Sequence, residues 1–322
     1  MSVLVTGGTG ALGYHLLSML TKTKGKLHSF SDEPPFPWQV WKHVEYYSGN
    51  LLNYKEILEV LQKTKPKEVY HLASQSSVGL SYTRPYETLS TNILGTQNLL
   101  EAIRQTVPKT KVLLVSSAEV YGRGTLGYLG DKFTEDTPPN PITPYATSKA
   151  SMELLGNQYA HAYDMHIVTV RPFHFTGPNH SRRFALASMA YQLIQIKQNR
   201  GEPVLFTGNL DITRDVVDVR DLARAMVMVM NSSEPTETYN VCGGNSYTLR
   251  GMLELLFQFS GIYAETRVDP NLERSNDIPI LIGSPQKIMD AFSWKPMIGV
   301  EDSLEDLYNE MQQRIRQETK KR

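Results

Sequence analysis

A tyrosine and a lysine stand four residues apart in the segment PYATSKA, as Tyr145 and Lys149, where a helix is predicted to begin. That spacing places both side chains on one face of the helix. A nearby ammonium group favours the phenolate and lowers the pKa of the tyrosine toward the working pH, as proton transfer at a carbonyl or an alcohol requires. The pair occurs by chance in many helices, so it indicates chemistry only together with other groups.

Two serines and a glutamate follow the apolar run KVLLV, which predicts a buried strand over Lys111–Ser117. Ser116 and Ser117 end this strand, where a hydroxyl would hold a substrate oxygen beside the tyrosine. Glu119 comes shortly after them. Three roles are open for this carboxylate: a catalytic base, a substrate-positioning group, or a surface residue near the chemistry.

Three glycines follow the first predicted strand in the pattern Gly7-x-x-Gly10-x-x-Gly13 and open the first predicted helix. Glycine lets the backbone turn sharply and approach a pyrophosphate, and the free N–H groups at the helix start stabilise the anion. The pattern predicts a dinucleotide-binding loop with Gly7, Gly10, Ala11, Leu12 and Gly13 as contacts. A purely structural turn is the alternative.

An acidic residue, Asp32, ends the next predicted strand, HSFSD. A carboxylate at this point of a dinucleotide site accepts the ribose hydroxyls of NAD and repels the extra phosphate of NADP. NAD or NADP is therefore the expected cofactor, with NAD slightly favoured. The flanking segment resembles a loop, so a simple loop acid is the alternative.

Short apolar runs and helical periods alternate along the first half of the chain. This alternation indicates an α/β fold with a Rossmann-type doubly wound parallel sheet and a smaller mixed α/β C-terminal substrate lobe. We expect residues 1–172, joined by about 212–243, to form the NAD(P)-binding domain, and residues 173–211 and 244–322 to form the lobe. A strand at Glu237–Cys242 is expected to return to the sheet, and the final QETKKR is expected to fray.

The composition excludes several classes of protein. Among the 322 residues, 33 are Lys or Arg and 33 are Asp or Glu, so no polyanion such as nucleic acid is expected as a partner. The one cysteine, Cys242, excludes an internal disulfide and a cysteine-based zinc site, and no metal is predicted. No run approaches the ~20 apolar residues that span a bilayer. We expect a cytoplasmic protein that does not bind membranes.

The motifs together resemble those of the extended short-chain dehydrogenase/reductases that act on nucleotide sugars. The resemblance covers nearly the whole chain and rests on the glycine loop, the Tyr–Lys pair, HLAS (His71–Ser74), SSAEVYG (Ser116–Gly122) and RPFHFTGP (Arg171–Pro178). It implies that Ser117, Tyr145, Lys149 and Glu119 form the catalytic set. It further implies that the cofactor is bound by Tyr145 and Lys149 and by Asn92 in the TNILGT stretch, which packs under the cofactor in that family. The other implied contacts follow sheet strands: Asn50, Leu51, Leu72, Ala73 and Ser74.

The C-terminal half resembles GDP-sugar enzymes, namely the GDP-4-keto-6-deoxy-mannose reductases and the GDP-mannose 4,6-dehydratases. The segments that carry this are GNLDITRDVVDVRDLARA (Gly208–Ala225), YNVCGG and ERSNDIPILIGSPQKI. Arginine suits a diphosphate because it is a permanently charged, bidentate donor. The alternative is that Arg214–Asp215 and Arg220–Asp221 are surface ion pairs. The substrate-binding residues implied are Ser76, Ser117, His174, Arg183, Arg214, Arg274 and Asp277.

Two of these positions depart from the family pattern. His174 stands where the family usually carries asparagine, so a core histidine is an equal alternative there. Asn50 stands where an aspartate commonly contacts the adenine, although an amide oxygen also accepts a hydrogen bond.

The residue after Ser117 separates the reactions that the resemblance allows. A 4,6-dehydratase must remove the C5 proton and expel the C6 hydroxyl, which requires a base and an acid beside the serine. Here Ala118 precedes Glu119 and can donate no proton. We therefore rank reduction of the 4-keto group of GDP-4-keto-6-deoxy-mannose first, ahead of a GDP-mannose 4,6-dehydratase and an NAD-dependent 4-epimerase. Glu119 is expected to position substrate.

A non-catalytic dinucleotide-binding sensor or scaffold is the alternative from a different class, since a fold does not fix a function. The intact Ser117, Tyr145 and Lys149 argue against it. The resemblance also implies a homodimer formed through the predicted helices Leu89–Ile103 and Tyr145–Tyr163.

Overall fold

A computed structural model describes residues 1–23, 25–36, 40–123, 132–198, 203–232, 234–273 and 277–320. Seven parallel strands form its main sheet in the order β11-β6-β5-β4-β1-β2-β3. This confirms the predicted fold class. The strands are β1 Ser2–Thr6, β2 Lys26–Ser31, β3 Val44–Ser48, β4 Glu68–His71, β5 Lys111–Val115, β6 Ile167–Pro172 and β11 Thr238–Val241.

Helices cover both faces of this sheet, which explains why its central strands are apolar at successive positions rather than at alternate ones. On one face, α1 (Ala11–Leu20) and α8 (Val219–Ser232) share a buried core with the strands. On the other face, α2 (Tyr54–Thr64), α5 (Gly95–Thr106) and α6 (Pro144–Tyr163) do so. The helices of the first part of the chain are α1 Ala11–Leu20, α2 Tyr54–Thr64, α3 Val78–Thr83, α4 Pro85–Leu89, α5 Gly95–Thr106 and α6 Pro144–Tyr163.

Smaller sheets and a third core follow in the second half. Strand β7 (His174–Thr176) pairs with β10 (Val216–Asp218). The remaining short strands are β8 Val204–Thr207, β9 Thr213–Arg214, β12 Tyr247–Thr248, β13 Glu265–Val268 and β14 Ile280–Leu281. The helices are α7 Ala185–Lys197, α8 Val219–Ser232, α9 Leu249–Ser260, α10 Gln286–Phe292 and α11 Val300–Lys320. Buried side chains of α7, α9 and α11 pack together.

Two local features differ from expectation. Helix α11 continues to Lys320, so the predicted fraying of the C-terminus is wrong for residues 317–320. An ion pair holds this end of the helix in place: Glu318 Oε2 lies 2.8 Å from Arg182 Nη2. The helix predicted over Leu89–Ile103 contains a π-helical turn at Ser90–Leu94 between α4 and α5.

None of the helices within the described ranges is long and apolar enough to cross a membrane.

Candidate active site

The glycine loop lies at the carboxyl end of β1, and close packing requires its glycines. Gly7 adopts a φ of +73°, and a Cβ there would lie 2.8 Å from the backbone nitrogen of Ala73. A Cβ at Gly13 would lie 2.3 Å from the carbonyl oxygen of Gly7. The loop is therefore held tightly against the segment after β4, which contains the predicted contacts Leu72 and Ala73.

The start of α1 fits a dinucleotide phosphate. Gly10 is the N-cap residue and provides no side chain to cap the helix. It is exposed, and a Cβ there would meet nothing closer than 3.4 Å. The N–H groups of the first turn, which includes Ala11, Leu12 and Gly13, lack partners within the helix and suit an anion.

The predicted adenosine contacts lie at the same edge of the sheet. Asp32 directly follows β2 and is exposed. Asn50 is also exposed and comes two residues after β3; its side-chain oxygen accepts a hydrogen bond from Leu52 N at 2.8 Å. Leu51 is buried against Gly95 at the start of α5. These residues and the glycine loop surround one edge, as a dinucleotide requires.

Tyr145 and Lys149 lie on the first turns of α6, and the local sequence explains why the helix starts there. Thr143 caps the helix by accepting a hydrogen bond from Ala146 N at 3.0 Å, and Pro144 occupies its first position. Lys149 Nζ lies 5.8 Å from the centre of the Tyr145 ring and donates to Val115 O at 2.8 Å and to Ser74 Oγ at 3.2 Å. The pair expected from spacing alone is therefore anchored to the ends of β4 and β5.

Ser117 joins this pair through a hydrogen bond to Tyr145. Its Oγ also accepts a hydrogen bond from Glu119 N at 3.2 Å, because Ser117 caps a 3₁₀ turn over Ala118–Tyr121. Burial raises the pKa of Tyr145, the Ser117 hydrogen bond lowers it, and the charge of Glu119 raises it. Burial lowers the pKa of Lys149 to about 7, and Glu153 acts against this lowering. Burial dominates, so the pKa of Tyr145 lies above its ordinary value and the predicted lowering toward the working pH is wrong. The tyrosine is therefore protonated at neutral pH.

Glu119 is 8 % exposed and lies close enough to Tyr145 for its charge to act on the phenol. Of the three roles considered for it, a surface residue does not fit. Between Ser117 and Glu119, the 3₁₀ turn places the buried Ala118. Its methyl side chain has no proton to donate.

Asn92 lies in the π-helical turn and is fully buried. Its amide nitrogen donates to Ser148 Oγ at 2.8 Å and to Gln75 O at 3.0 Å, and its amide oxygen accepts from Gln75 N at 2.8 Å. It therefore fixes the segment that carries Ser74 and the exposed Ser76 against α6.

The predicted substrate residues are spread over the second half of the chain. His174 at the start of β7 and Arg183 before α7 are exposed, and Asp277 is half-buried. Because His174 is exposed, a core histidine does not fit there. Arg214 in β9 is 4 % exposed and donates to Thr213 O at 2.9 Å and to Pro279 O at 3.4 Å. Arg274 lies outside the described residues.

The carboxylates of the two surface ion pairs considered, Asp215 and Asp221, are both buried, so that alternative does not describe them. Asp215 is fully buried and accepts hydrogen bonds from Gly243 N at 2.6 Å and Gly244 N at 2.9 Å. Arg220 pairs with Asp218 and Asp306, and Asp221 is buried and pairs with Arg224.

Two buried groups beside the site were not singled out from the sequence. His71 forms hydrogen bonds with two threonine hydroxyls: its Nδ1 lies 2.7 Å from Thr6 Oγ1, and its Nε2 lies 2.9 Å from Thr96 Oγ1. Glu153 forms an ion pair with Arg171 at 2.7 Å. The signal available for Glu153 was its position one helical turn after Lys149.

Known proteins resemble the chain along nearly its whole length. A family model described as GDP-mannose 4,6 dehydratase matches residues 4–307. The GDP-6-deoxy-D-mannose reductase of Pseudomonas aeruginosa is 31 % identical over 316 residues, which cover 98 % of this chain and 99 % of that protein.

Two solved structures are also similar. The structure of RMD from Pseudomonas aeruginosa complexed with NADPH is 29 % identical, with a TM-score of 0.83, and the match covers 98 % of this chain and 100 % of that one. The UDP-glucose 4-epimerase of Thermus thermophilus in complex with NAD is 28 % identical, with a TM-score of 0.87, and the match covers 97 % and 99 % of the two chains.

Proposed function

Because the chain belongs to the GDP-mannose 4,6-dehydratase family, we propose that it is an NAD(P)-dependent reductase that reduces the 4-keto group of GDP-4-keto-6-deoxy-mannose. The observation that carries this proposal is the buried turn after β5. Ser117 contacts Tyr145 there, and the apolar Ala118 occupies the place where a dehydratase needs a proton donor. The similarity to a GDP-6-deoxy-D-mannose reductase supports the same reaction.

The proposed cofactor contacts are the glycine loop, Asp32, Asn50 and the segment after β4. The loop offers a close backbone approach to the phosphates, and the exposed Asp32 offers a carboxylate to the ribose. When bound, the reduced nicotinamide supplies the hydride that reduces C4 of the sugar. Lys149 is proposed to contact the cofactor and to hold a positive charge next to the tyrosine.

The proton is supplied by this chain. Tyr145 is protonated at neutral pH because burial raises its pKa, so it can donate its hydroxyl proton to the 4-oxygen as the carbonyl becomes an alcohol. Ser117 holds the same oxygen by a hydrogen bond. The phenolate that remains is stabilised by Lys149 and regains a proton from solvent, which completes the balance of one hydride and one proton per ketone.

The proposed substrate contacts are Ser76, Ser117 and Glu119 near the sugar, and His174, Arg183, Arg214, Arg274 and Asp277 toward the nucleotide. Glu119 is proposed to position the sugar, since its carboxylate is buried beside Tyr145. The arginines suit the diphosphate because each is a permanent cation with several donors.

We favour NAD(H) over NADP(H), because an exposed carboxylate at the end of β2 would repel a ribose 2′-phosphate. The similar structures contain NADPH in one case and NAD in the other. A direct comparison of NADH and NADPH as reductants tests this choice.

A homodimer is proposed from the apolar side chains exposed on adjacent helices. Tyr86 on α4 is 84 % exposed and Leu154 on α6 is 70 % exposed, and the two helices pack against each other. A second copy of the chain would cover this face.

One observation keeps a 4,6-dehydratase as a second candidate: the buried Glu119 beside Tyr145 is where that reaction needs its base. The deciding experiment gives the purified protein either GDP-4-keto-6-deoxy-mannose with NADH or NADPH, or GDP-mannose with no added reductant. We expect the reduced cofactor to be consumed in the first assay and no change in the second. Formation of the 4-keto-6-deoxy product from GDP-mannose would replace the reductase proposal by the dehydratase.

A further inference from the structure

A buried carboxylate lies one helical turn beyond Lys149 on the same face of α6. Glu153 Oε1 accepts hydrogen bonds from Ser116 Oγ at 2.5 Å and from Arg171 Nε at 2.9 Å, and its Oε2 accepts from Arg171 Nη2 at 2.7 Å. All three residues are buried. Burying an ion pair costs free energy, and apolar residues in its place are often equally stable or more stable. A contribution to stability therefore does not by itself explain this pair.

The contacts of Glu153 connect the elements that carry the proposed chemistry. Ser116 lies between the end of β5 and Ser117, and Arg171 lies in β6, so the carboxylate holds both strand ends against α6. Arg171 also donates to the Tyr121 hydroxyl at 2.9 Å. Tyr121 ends the 3₁₀ turn that begins after Ser117. The Glu153–Arg171 pair thus fixes the segment containing Ser117 and Glu119 at both ends.

The same carboxylate contributes to the charge balance around Lys149. The ionisable groups that act with Lys149 are Tyr145 and Glu153 on its own helix and His71 on β4. His71 is neutral at physiological pH because burial, and then the charge of Lys149, lower its pKa to about 3. Glu153 therefore supplies the negative charge that opposes the loss of the Lys149 proton.

We propose that Glu153 is a positioning residue, which orients the Ser117 segment through Ser116 and Arg171 and supplies a buried negative charge to the Lys149 ammonium. The inference rests on the proposed function in one respect: the turnover assay that tests it uses the proposed keto-sugar substrate. Its geometry is independent of which sugar is reduced.

The test is the pH dependence of two quantities in Glu153→Gln: kcat/KM for reduction and the affinity for NADH measured by fluorescence. Glutamine keeps the shape but removes the negative charge and leaves the Arg171 cation uncompensated. Lys149 should then lose its proton at lower pH, which displaces the alkaline limb of both profiles downward by about one pH unit. At a pH above both limbs this corresponds to about a tenfold loss of kcat/KM. Glu153→Asp, which keeps a carboxylate, should restore the limb.

Two further variants make the result specific. Glu265→Gln removes a carboxylate from an exposed pair with Arg267 and should leave both profiles unchanged. The double variant Glu153→Met/Arg171→Met removes both buried charges and is expected to fold, because apolar replacement of a buried ion pair is often neutral or stabilising. It should show a smaller downward displacement than Glu153→Gln, because it removes the negative charge near Lys149 but leaves no uncompensated Arg171 cation.

The outcomes separate the inference from the proposed function. Unchanged limbs in the folded Glu153 variants, with activity and melting temperature lowered equally at every pH, would mean that Glu153 is structural only and would overturn the inference. If the wild-type protein reduces no keto sugar, the proposed function fails. The NADH-binding profiles then decide the inference by themselves: a displaced limb supports it, and an unchanged limb overturns it.

Discussion

Tyr145 is the residue on which the proposed proton transfer depends. Burial raises its pKa, so the hydroxyl carries its proton at neutral pH. It can still donate that proton, because a developing alkoxide is a stronger base than the phenolate that remains. Tyr145→Phe removes this proton and keeps the ring, and we expect turnover to fall by about 10²–10⁴-fold while NADH affinity stays within a few-fold. Steady-state kinetics and fluorescence titration check this. Wild-type turnover in the variant would refute the assigned donor.

Glu119 allows a sharper distinction, because its two remaining roles affect different constants. As a positioning group it binds ground state and transition state alike, so Glu119→Gln should raise KM for the keto sugar about tenfold and leave kcat within a few-fold. Removing the charge also removes an influence that raises the pKa of Tyr145. A fall in kcat with unchanged KM would instead indicate that the carboxylate takes part in the chemical step.

Asp32 offers a third test at this scale. Its exposed carboxylate is the group expected to repel a 2′-phosphate. Asp32→Ala should therefore raise the ratio of kcat/KM for NADPH to that for NADH about tenfold, since like charges in contact cost at least the ~1.4 kcal/mol that a factor of ten represents. Parallel kinetics with the two cofactors measure the ratio. No change in it would make Asp32 a simple loop acid.

Among the elements, those with a strong local signal were predicted best. The first strand, the glycine loop and the first helix follow from the apolar run and from glycines that close packing requires, and the family resemblance they support is confirmed. Strand β3 was not predicted, because it lies at the edge of the sheet and most of its residues are half-buried or exposed. Its sequence therefore lacks the apolar run that marks the buried strands. The π-helical turn was missed because its apolar residues keep nearly the helical spacing.

The Glu153–Arg171 pair was missed for a different reason. Charged residues in a helix or near a strand end usually face solvent. The position of Glu153 one helical turn after Lys149 is a local signal, but it does not indicate that the carboxylate is buried. The burial of the pair results from packing β6 against β5 and α6, contacts between residues distant in sequence. Only the three-dimensional arrangement reveals such a group.

The turn between β1 and α1 depends on the close packing of Gly13 against Gly7. Gly13→Ala would force its Cβ to within 2.3 Å of the Gly7 carbonyl oxygen, and we expect a loss of about 1–3 kcal/mol in the free energy of unfolding together with weaker NADH binding. Gly10→Ala is the matched control, since its Cβ finds space and its φ is −74°. Urea unfolding without cofactor measures both. Equal stability of the two variants would contradict the packing argument.

For the molecule as a whole, the proposed dimer makes the exposed face of α4 and α6 testable. Leu154→Glu places a charge on a side chain that is 70 % exposed, so it should leave the monomer folded and prevent association. Met297→Glu, at a side chain 73 % exposed outside this face, is the control. Sedimentation equilibrium measures the mass. A wild-type monomer, or a dimer that persists in Leu154→Glu, would remove the proposed interface.

Acid stability should reflect histidines that the fold keeps neutral. Burial and Lys149 lower the pKa of His71 from 6.5 to about 3, and burial and Arg314 lower that of His180 from 6.5 to about 4. Below pH 6.5 these two histidines bind protons in the unfolded chain but stay neutral in the folded chain. The free energy of unfolding therefore falls as pH drops, by about 1.4 kcal/mol per pH unit for each group. Asp215 opposes this between pH 6 and 3.8, because burial raises its pKa to about 6.

His180 isolates one part of this dependence. Its ring is stacked between Phe175 and Phe184, and its Nδ1 has no hydrogen-bond partner within the described residues, so phenylalanine should fit there at little cost. His180→Phe should reduce the slope of unfolding free energy against pH between about 6.5 and 4 by about 1.4 kcal/mol per unit and make the protein more acid-resistant than wild type. Urea unfolding at several pH values measures the slopes. If His180→Phe keeps the wild-type slope, the protons that unfold the protein in acid bind elsewhere, and His71 becomes the next position to test.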